Sequence, residues 1–215
     1  MKFDGKAIAA LRESVKSRLS EKRFNHTLGV ENMAVRIGLS CLTDSISELR
    51  IAALLHDISK EYSEAEYIDL MKRHGFAMSD EDLSTPALWH SLTAPLVIKE
   101  DYPNYATPNV LSAVYNHTVG SPDMSVFDEI ILLSDYIEEG RTYGNCVRLR
   151  EEFLLELDRA DGSDECILAL HRAVARSLDN NINEFVSRSK SFHSRTKLTR
   201  DAIMAKTERQ NNGSN

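Results

Sequence analysis

Cysteine is scarce: Cys41, Cys146 and Cys166 are the only three in 215 residues, widely spaced and without a Cys-x-x-Cys pair. An odd, scattered set of this kind argues against a disulfide framework, and the three read as reduced thiols of a cytoplasmic protein. Long apolar runs are lacking too: none approaches the ~20 residues needed to span a bilayer. The opening Met-Lys-Phe-Asp-Gly-Lys has no signal-peptide stretch, so neither membrane nor export is expected. Positive charge is not in excess. The formal net charge is −7, which removes broad attraction to nucleic acid or anionic membrane. An anionic small molecule remains open if local cations serve it, and Lys60, Arg141, Arg195 and Arg200 are the candidates. Strand alternation, heptads and internal repeats are missing as well.

What is present is helical periodicity almost throughout. Apolar residues recur at helical spacing over 5–19 and 22–40, then in a third helix that Asp44 or Ser45 can cap and that ends at His56-Asp57. Ser63 with Glu66 has capping-box spacing for a fourth helix, which stops at His74-Gly75. A loop is expected over 75–84. Thr85-Pro86 and Thr107-Pro108 are N-terminal signals for helices over 86–99 and up to His117. Ser125 with Asp128 opens another, running Ile130-Ile-Leu-Leu133 into Ser134-Asp135. Two more follow over 145–158 and 163–188, the second with an apolar face on which a second copy of the chain can pack as a homodimer. The pattern predicts an all-α bundle, one domain over 1–205, and a disordered polar tail over 206–215.

The most informative feature is the pair His56-Asp57 at the end of Ile51-Ala-Ala-Leu-Leu55. An apolar helix has no packing reason to end in an imidazole beside a carboxylate, and burying either costs free energy unless it is satisfied. A metal ion satisfies both, and this donor pair suits iron, manganese or other borderline-to-hard cations. Taken singly, each candidate has a plainer explanation: a hydrogen-bonded helix histidine, or a helix-terminal carboxylate. The ordered set is more specific: His26, then His56-Asp57, then His90 and His117 near helix ends, then Asp135 after four apolar residues. His74, His171 and His193 fall outside it.

This order resembles the HD-domain phosphohydrolase superfamily, in which a first His, a His-Asp doublet and a later Asp bind metal within a helical core. Arg23-Phe-Asn-His-Thr-Leu-Gly-Val-Glu31, Leu54-Leu-His-Asp-Ile-Ser-Lys60, Asn116-His-Thr-Val-Gly120 and Ser134-Asp-Tyr-Ile-Glu-Glu-Gly-Arg141 are similar to motifs of one branch. That branch is the bacterial YqeK-type symmetrical diadenosine tetraphosphate hydrolases. Phe192-His-Ser-Arg-Thr196 through Arg200 resembles its C-terminal segment, so the likeness spans roughly 20–202. The chain departs from the branch at Trp89-His-Ser-Leu-Thr-Ala94, at Glu139-Gly140, at Ser194 and at Asp201. None of these removes an expected ligand.

The resemblance implies an HD-domain helical bundle that hydrolyses a dinucleoside polyphosphate, diadenosine tetraphosphate, to two ADP. It implies iron as cofactor, on one or two ions, with manganese, cobalt or zinc also compatible with these donors. His26, His56, Asp57 and Asp135 would hold a first metal. His90 and His117 would either hold a second, with Asp57 bridging, or contact phosphate. Lys60, Thr118 and Arg141 would meet phosphate oxygens, with Lys60 and Arg141 as catalytic cations. Thr196 and Arg200 would contact the nucleotide. Three alternatives stand beside this reading: another nucleotide as substrate, a di-iron oxygenase on the same scaffold, and a non-catalytic nucleotide sensor.

Overall fold

The computed structural model describes residues 3–213. Among these are eleven α-helices and no strand, in agreement with the all-α expectation. In chain order they are α1 (Gly5–Lys16), α2 (Glu21–Cys41), α3 (Ile46–Leu55), α4 (Glu64–Arg73), α5 (Asp80–Leu83), α6 (Trp89–Asp101), α7 (Pro108–Asn116), α8 (Val126–Ile137), α9 (Gly144–Arg159), α10 (Ser163–Ser187) and α11 (Ser194–Gly213). None is long and apolar enough to cross a membrane.

Local signals set most of the boundaries. The carboxylate of Asp4 accepts from the Ala7 amide at 2.8 Å and starts α1. Ser63 with Glu66, and Ser125 with Asp128, form capping boxes at α4 and α8. Thr107 caps α7 ahead of Pro108. Each such cap satisfies an amide that the first helical turn leaves unpaired. The expected loop over 75–84 contains one helical turn, α5, because Ser79 and Asp82 form a third capping box there.

The polar end of the chain needs a larger correction. Residues 206–213 continue α11 where a disordered tail is expected, and residues 214–215 lie outside the described residues. The helix is held by polar anchors that periodicity does not reveal. The Lys206 ammonium donates to the Met124 carbonyl at 2.6 Å and to Glu129 at 3.0 Å. Glu129, fully buried on α8, also holds His171 of α10 at 2.6 Å.

The core forms around α2, α3 and α8. α2 packs against α3 and α8, α7 lies against α3, α6 and α8, and α10 lies against α8, α9 and α11. Gly38 allows α2 and α3 to close up, since a Cβ there would sit 2.4 Å from Leu49 Cδ1. Leu49 and Ile51 through Leu55 are all buried, so the second half of α3 is apolar on every side and belongs to the interior of the bundle. Its C-terminal end therefore delivers His56 and Asp57 to a buried position, 0% and 3% exposed.

Candidate metal centre

Six side chains from five stretches of chain converge at the end of α3. His26 comes from the second turn of α2, and His56 and Asp57 from the end of α3. His90 opens α6, His117 closes α7, and Asp135 lies in the last turn of α8. His56, Asp57, His90 and His117 are buried.

Three of the imidazoles are oriented alike. His56 Nδ1 lies 2.6 Å from the Ala53 carbonyl, and His117 Nδ1 lies 2.6 Å from the Val114 carbonyl. His26 Nδ1 lies 3.0 Å from Oε1 of Glu138. A nitrogen facing a carbonyl or carboxylate carries a proton, which leaves Nε2 as the atom that can bind a metal. Burial lowers the His26 pKa, but Asp135 and Glu138 outweigh it and raise it to about 9, so a metal there takes the place of the Nε2 proton. The Nε2 atoms of His26 and His56 are buried and make no hydrogen bond. His26 Nε2 is only 3.0 Å from Asp135 Oδ1, yet the two are not aligned as donor and acceptor. Atoms that gather without pointing at one another could serve as ligands around a common centre. Two such groups can be drawn, His26–His56–Asp135 and His56–Asp57–His117, with the ligand atoms of each within 4.8 Å of one another.

Asp57 faces both halves. Its Oδ2 is 3.5 Å from His56 Nε2 and 3.8 Å from His26 Nε2. Its Oδ1 is 3.4 Å from His90 Nε2 and 3.6 Å from His117 Nε2. Burial by itself would raise the pKa of Asp57, but His56, His117 and His90 outweigh it and hold the carboxyl well below its ordinary value. The same competition, won by His26 and Arg141, keeps Asp135 ionised. Burial, then the Lys60 charge, holds His90 well below the usual histidine range, so its ring is neutral. A cluster of imidazoles beside ionised carboxylates, with no thiolate, suits iron, manganese, cobalt or zinc.

Cations ring the cluster. Lys60 Nζ lies 2.9 Å from His90 Nε2, and burial lowers its pKa against the opposing pull of Asp57 and Asp135. Thr118 Oγ1 is 3.3 Å from His90 Nε2. Arg141 grips Asp135 twice, donating from Nη2 to Oδ1 at 2.6 Å and from Nε to the backbone carbonyl at 2.9 Å. Thr196 and Arg200 are not part of this group. Thr196 is buried, and Arg200 pairs with Asp179 at 2.9 Å and Asp201 at 2.7 Å. Neither lines the two cavities that open onto the cluster. The three histidines outside the ordered set all meet carboxylates elsewhere: His74 Glu100, His171 Glu129, and His193 Asp82.

Two residues that the sequence reading leaves unassigned belong here. Arg23 donates to Asp57 Oδ2 at 2.8 Å. Glu138, 3% exposed, orients His26 and also accepts from the Gly140 amide at 2.5 Å. Each stands three residues from an expected ligand, Arg23 before His26 and Glu138 after Asp135. Residues three apart on a helix share a face, and that spacing is the signal that could have found both.

Comparison with known proteins identifies the family. Residues 23–140 match the HD domain family. The chain belongs to that family. It is 30% identical over 73% of its length to the symmetrical bis(5'-nucleosyl)-tetraphosphatase of Halalkalibacterium halodurans, covering 80% of that protein. The protein of the same description from Bacillus subtilis is 29% identical over 68% of the chain and 77% of its own length. Among solved structures, a predicted HD superfamily hydrolase described as involved in NAD metabolism, from Clostridium acetobutylicum, superposes with a TM-score of 0.78 at 26% identity. That match covers 96% of this chain and all of the other.

Proposed function

We propose that this chain is a metal-dependent hydrolase that cleaves diadenosine tetraphosphate symmetrically to two ADP. The observation that carries the reading is the set of three histidines whose Nδ1 atoms are tied back and whose Nε2 atoms converge on Asp57 and Asp135. The substrate is taken from the printed activity of the bacterial relatives. Iron is the metal we assign. His26, His56, Asp57 and Asp135 would hold it, and His90 and His117 would hold a second ion, because the two oxygens of Asp57 face opposite halves of the cluster.

A divalent metal in such a nest offers Lewis-acid charge to phosphate oxygens and activates water as a nucleophile. The chain's own residues supply the rest. Asp57 and Asp135 stay ionised, and Arg141 and Arg23 each fix one of them. Glu138 holds the His26 tautomer. Lys60 and Thr118, around His90, are placed to receive phosphate oxygens, where preorganised cations and donors stabilise the charge that develops during transfer. Water adds to one of the two central phosphorus atoms, the central bridging P–O bond breaks, and one ADP departs from the other.

The test is turnover of diadenosine tetraphosphate by anaerobically purified, iron-loaded protein, with products separated by chromatography, beside His56→Ala. ADP as sole product, lost in the variant, is expected. ATP with AMP, or inorganic phosphate, would reject the symmetrical reaction. Elemental analysis showing magnesium alone would reject the imidazole-rich centre.

A further inference from the structure

Two cavities reach the residues of the metal cluster. One, of about 710 Å³, reaches His117, Thr118 and Asp135. The other, of about 900 Å³, reaches Arg23, His26 and Glu138. Both volumes fall in the range of roughly 300–1,000 Å³ seen for small-molecule sites. Arg141 and Tyr143 line both, so they form the ridge between the two lobes.

The lobes differ in chemistry. Lys22, Arg23 and Arg141 line the His26 side. On the Asp135 side Arg141 is the sole lining cation, and the wall is made of carboxamides: Asn145 of α9 and Asn180, Asn181 and Asn183 of α10. Ser177, Asn180, Glu184 and Ser187 recur at helical spacing along that wall, so α10 turns a polar stripe toward the cavity. Asparagine is a poor residue for a helix interior, since its side chain competes for the backbone. Asn181 and Asn183 have no side-chain hydrogen bond among the described residues, and internal structure gives no reason for them there.

Tyr143 is equally out of place. It holds the N-cap position of α9, where a serine, threonine or aspartate would satisfy an amide, and it makes no capping bond. It is 72% exposed, with no partner for its hydroxyl among the described residues.

An exposed aromatic ring at a cavity mouth, facing a wall of carboxamides, suits a ligand with a flat face and an edge of alternating donors and acceptors. A purine is such a ligand: aromatic rings stack on bases, and an asparagine carboxamide matches the amino group and ring nitrogen of adenine. Within the dinucleotide reading above, on which this step rests, we infer that the Asp135-side cavity is a purine subsite, with Tyr143 as stacking platform and Asn180, Asn181 and Asn183 reading the base edge. The second half of the substrate then leaves the metal cluster along the His26-side lobe, across the ridge.

The test is equilibrium binding of ADP and of inorganic pyrophosphate to iron-loaded wild type, Tyr143→Ala, Tyr143→Phe and Asn181→Ala. ADP should bind about tenfold more weakly to Tyr143→Ala, from the loss of one stacking contact. It should bind normally to Tyr143→Phe and more weakly to Asn181→Ala, with pyrophosphate affinity the same in all four. ADP binding to wild type that is indifferent to Tyr143→Ala overturns the subsite and leaves the dinucleotide reading standing. A wild type that binds pyrophosphate but not ADP overturns both.

Discussion

Glu138 sits where the side chain of residue 29 would be. Its Oε1 is 3.0 Å from His26 Nδ1, and a Cβ on Gly29 would lie 2.4 Å from its Oε2. Gly29 is one turn along α2 from His26, so the missing side chain makes room for the carboxylate that orients the ligand.

This relationship predicts two variants with a shared effect. Glu138→Gln keeps the shape but loses the charge that raises ligand basicity. Gly29→Ala displaces the carboxylate. Removing such a partner of a metal-binding histidine typically costs about 10–100-fold in metal affinity, and both variants should fall in that range in competition against a chelator. Ordinary metal affinity in Glu138→Gln would mean that Glu138 only packs.

Metal should also stabilise the fold, since the ligands come from five helices or their ends. Iron at 100 times its dissociation constant stabilises by about 2.7 kcal/mol. For a chain of this size that is a rise in melting temperature of roughly 5–10 °C. The rise should be absent after chelation and much reduced in His56→Ala, whose Nε2 stands in both candidate ligand groups. An equal rise in the variant would place the metal elsewhere.

Arg141 is expected from its sequence context to touch phosphate, and the structure gives it an additional task. Its double contact with Asp135 uses the planar fork of a guanidinium, which lysine cannot reproduce. Arg141→Lys should therefore lower kcat/KM by about 10–100-fold, the cost of a lost charged hydrogen bond. Steady-state rates within twofold or threefold of wild type would reduce Arg141 to a source of positive charge.

The convergence of these residues was legible because burial and polarity conflict openly in the sequence. His56-Asp57 and Asp135 each follow an apolar run that gives them no exposed face. Glu138 and Arg23 were harder because charged residues at helix ends are ordinary, and only their three-residue spacing from His26 and Asp135 distinguishes them. Helix α11 was illegible for a different reason. Apart from Ile203, which is fully buried in the core, its anchors are long-range and polar, Lys206 to Glu129 and Arg200 to Asp179, and they leave no apolar stripe. Arg200 shows the consequence: a cation suited to a nucleotide by its position in the chain is already engaged by α10.

The start of α11 is tied to the metal region through Asp82. Its Oδ1 is 3.0 Å from His193 Nε2 and its Oδ2 accepts from the Ser79 hydroxyl at 2.7 Å, while its backbone carbonyl accepts from the Trp89 indole at 2.9 Å, beside His90. Burial pushes the Asp82 carboxyl up, but Ser79 and His193 outweigh it, so its pKa in the fold is lowered from the ordinary value of 3.8. A carboxyl depressed by folding contributes stability that is complete above its unfolded pKa and is lost as pH falls through its folded pKa. Asp82→Asn should therefore destabilise the protein at pH 7 by about 1 kcal/mol, as for a weakened hydrogen bond, a fall of roughly 2–4 °C in melting temperature. The gap between variant and wild type should start to close as pH drops below about 4 and vanish below the lowered pKa of the folded carboxyl, where the wild type also takes up its proton. Thermal melts of both proteins across that range check the sign, and a gap that persists in acid would assign the effect to packing of the side chain instead of its charge.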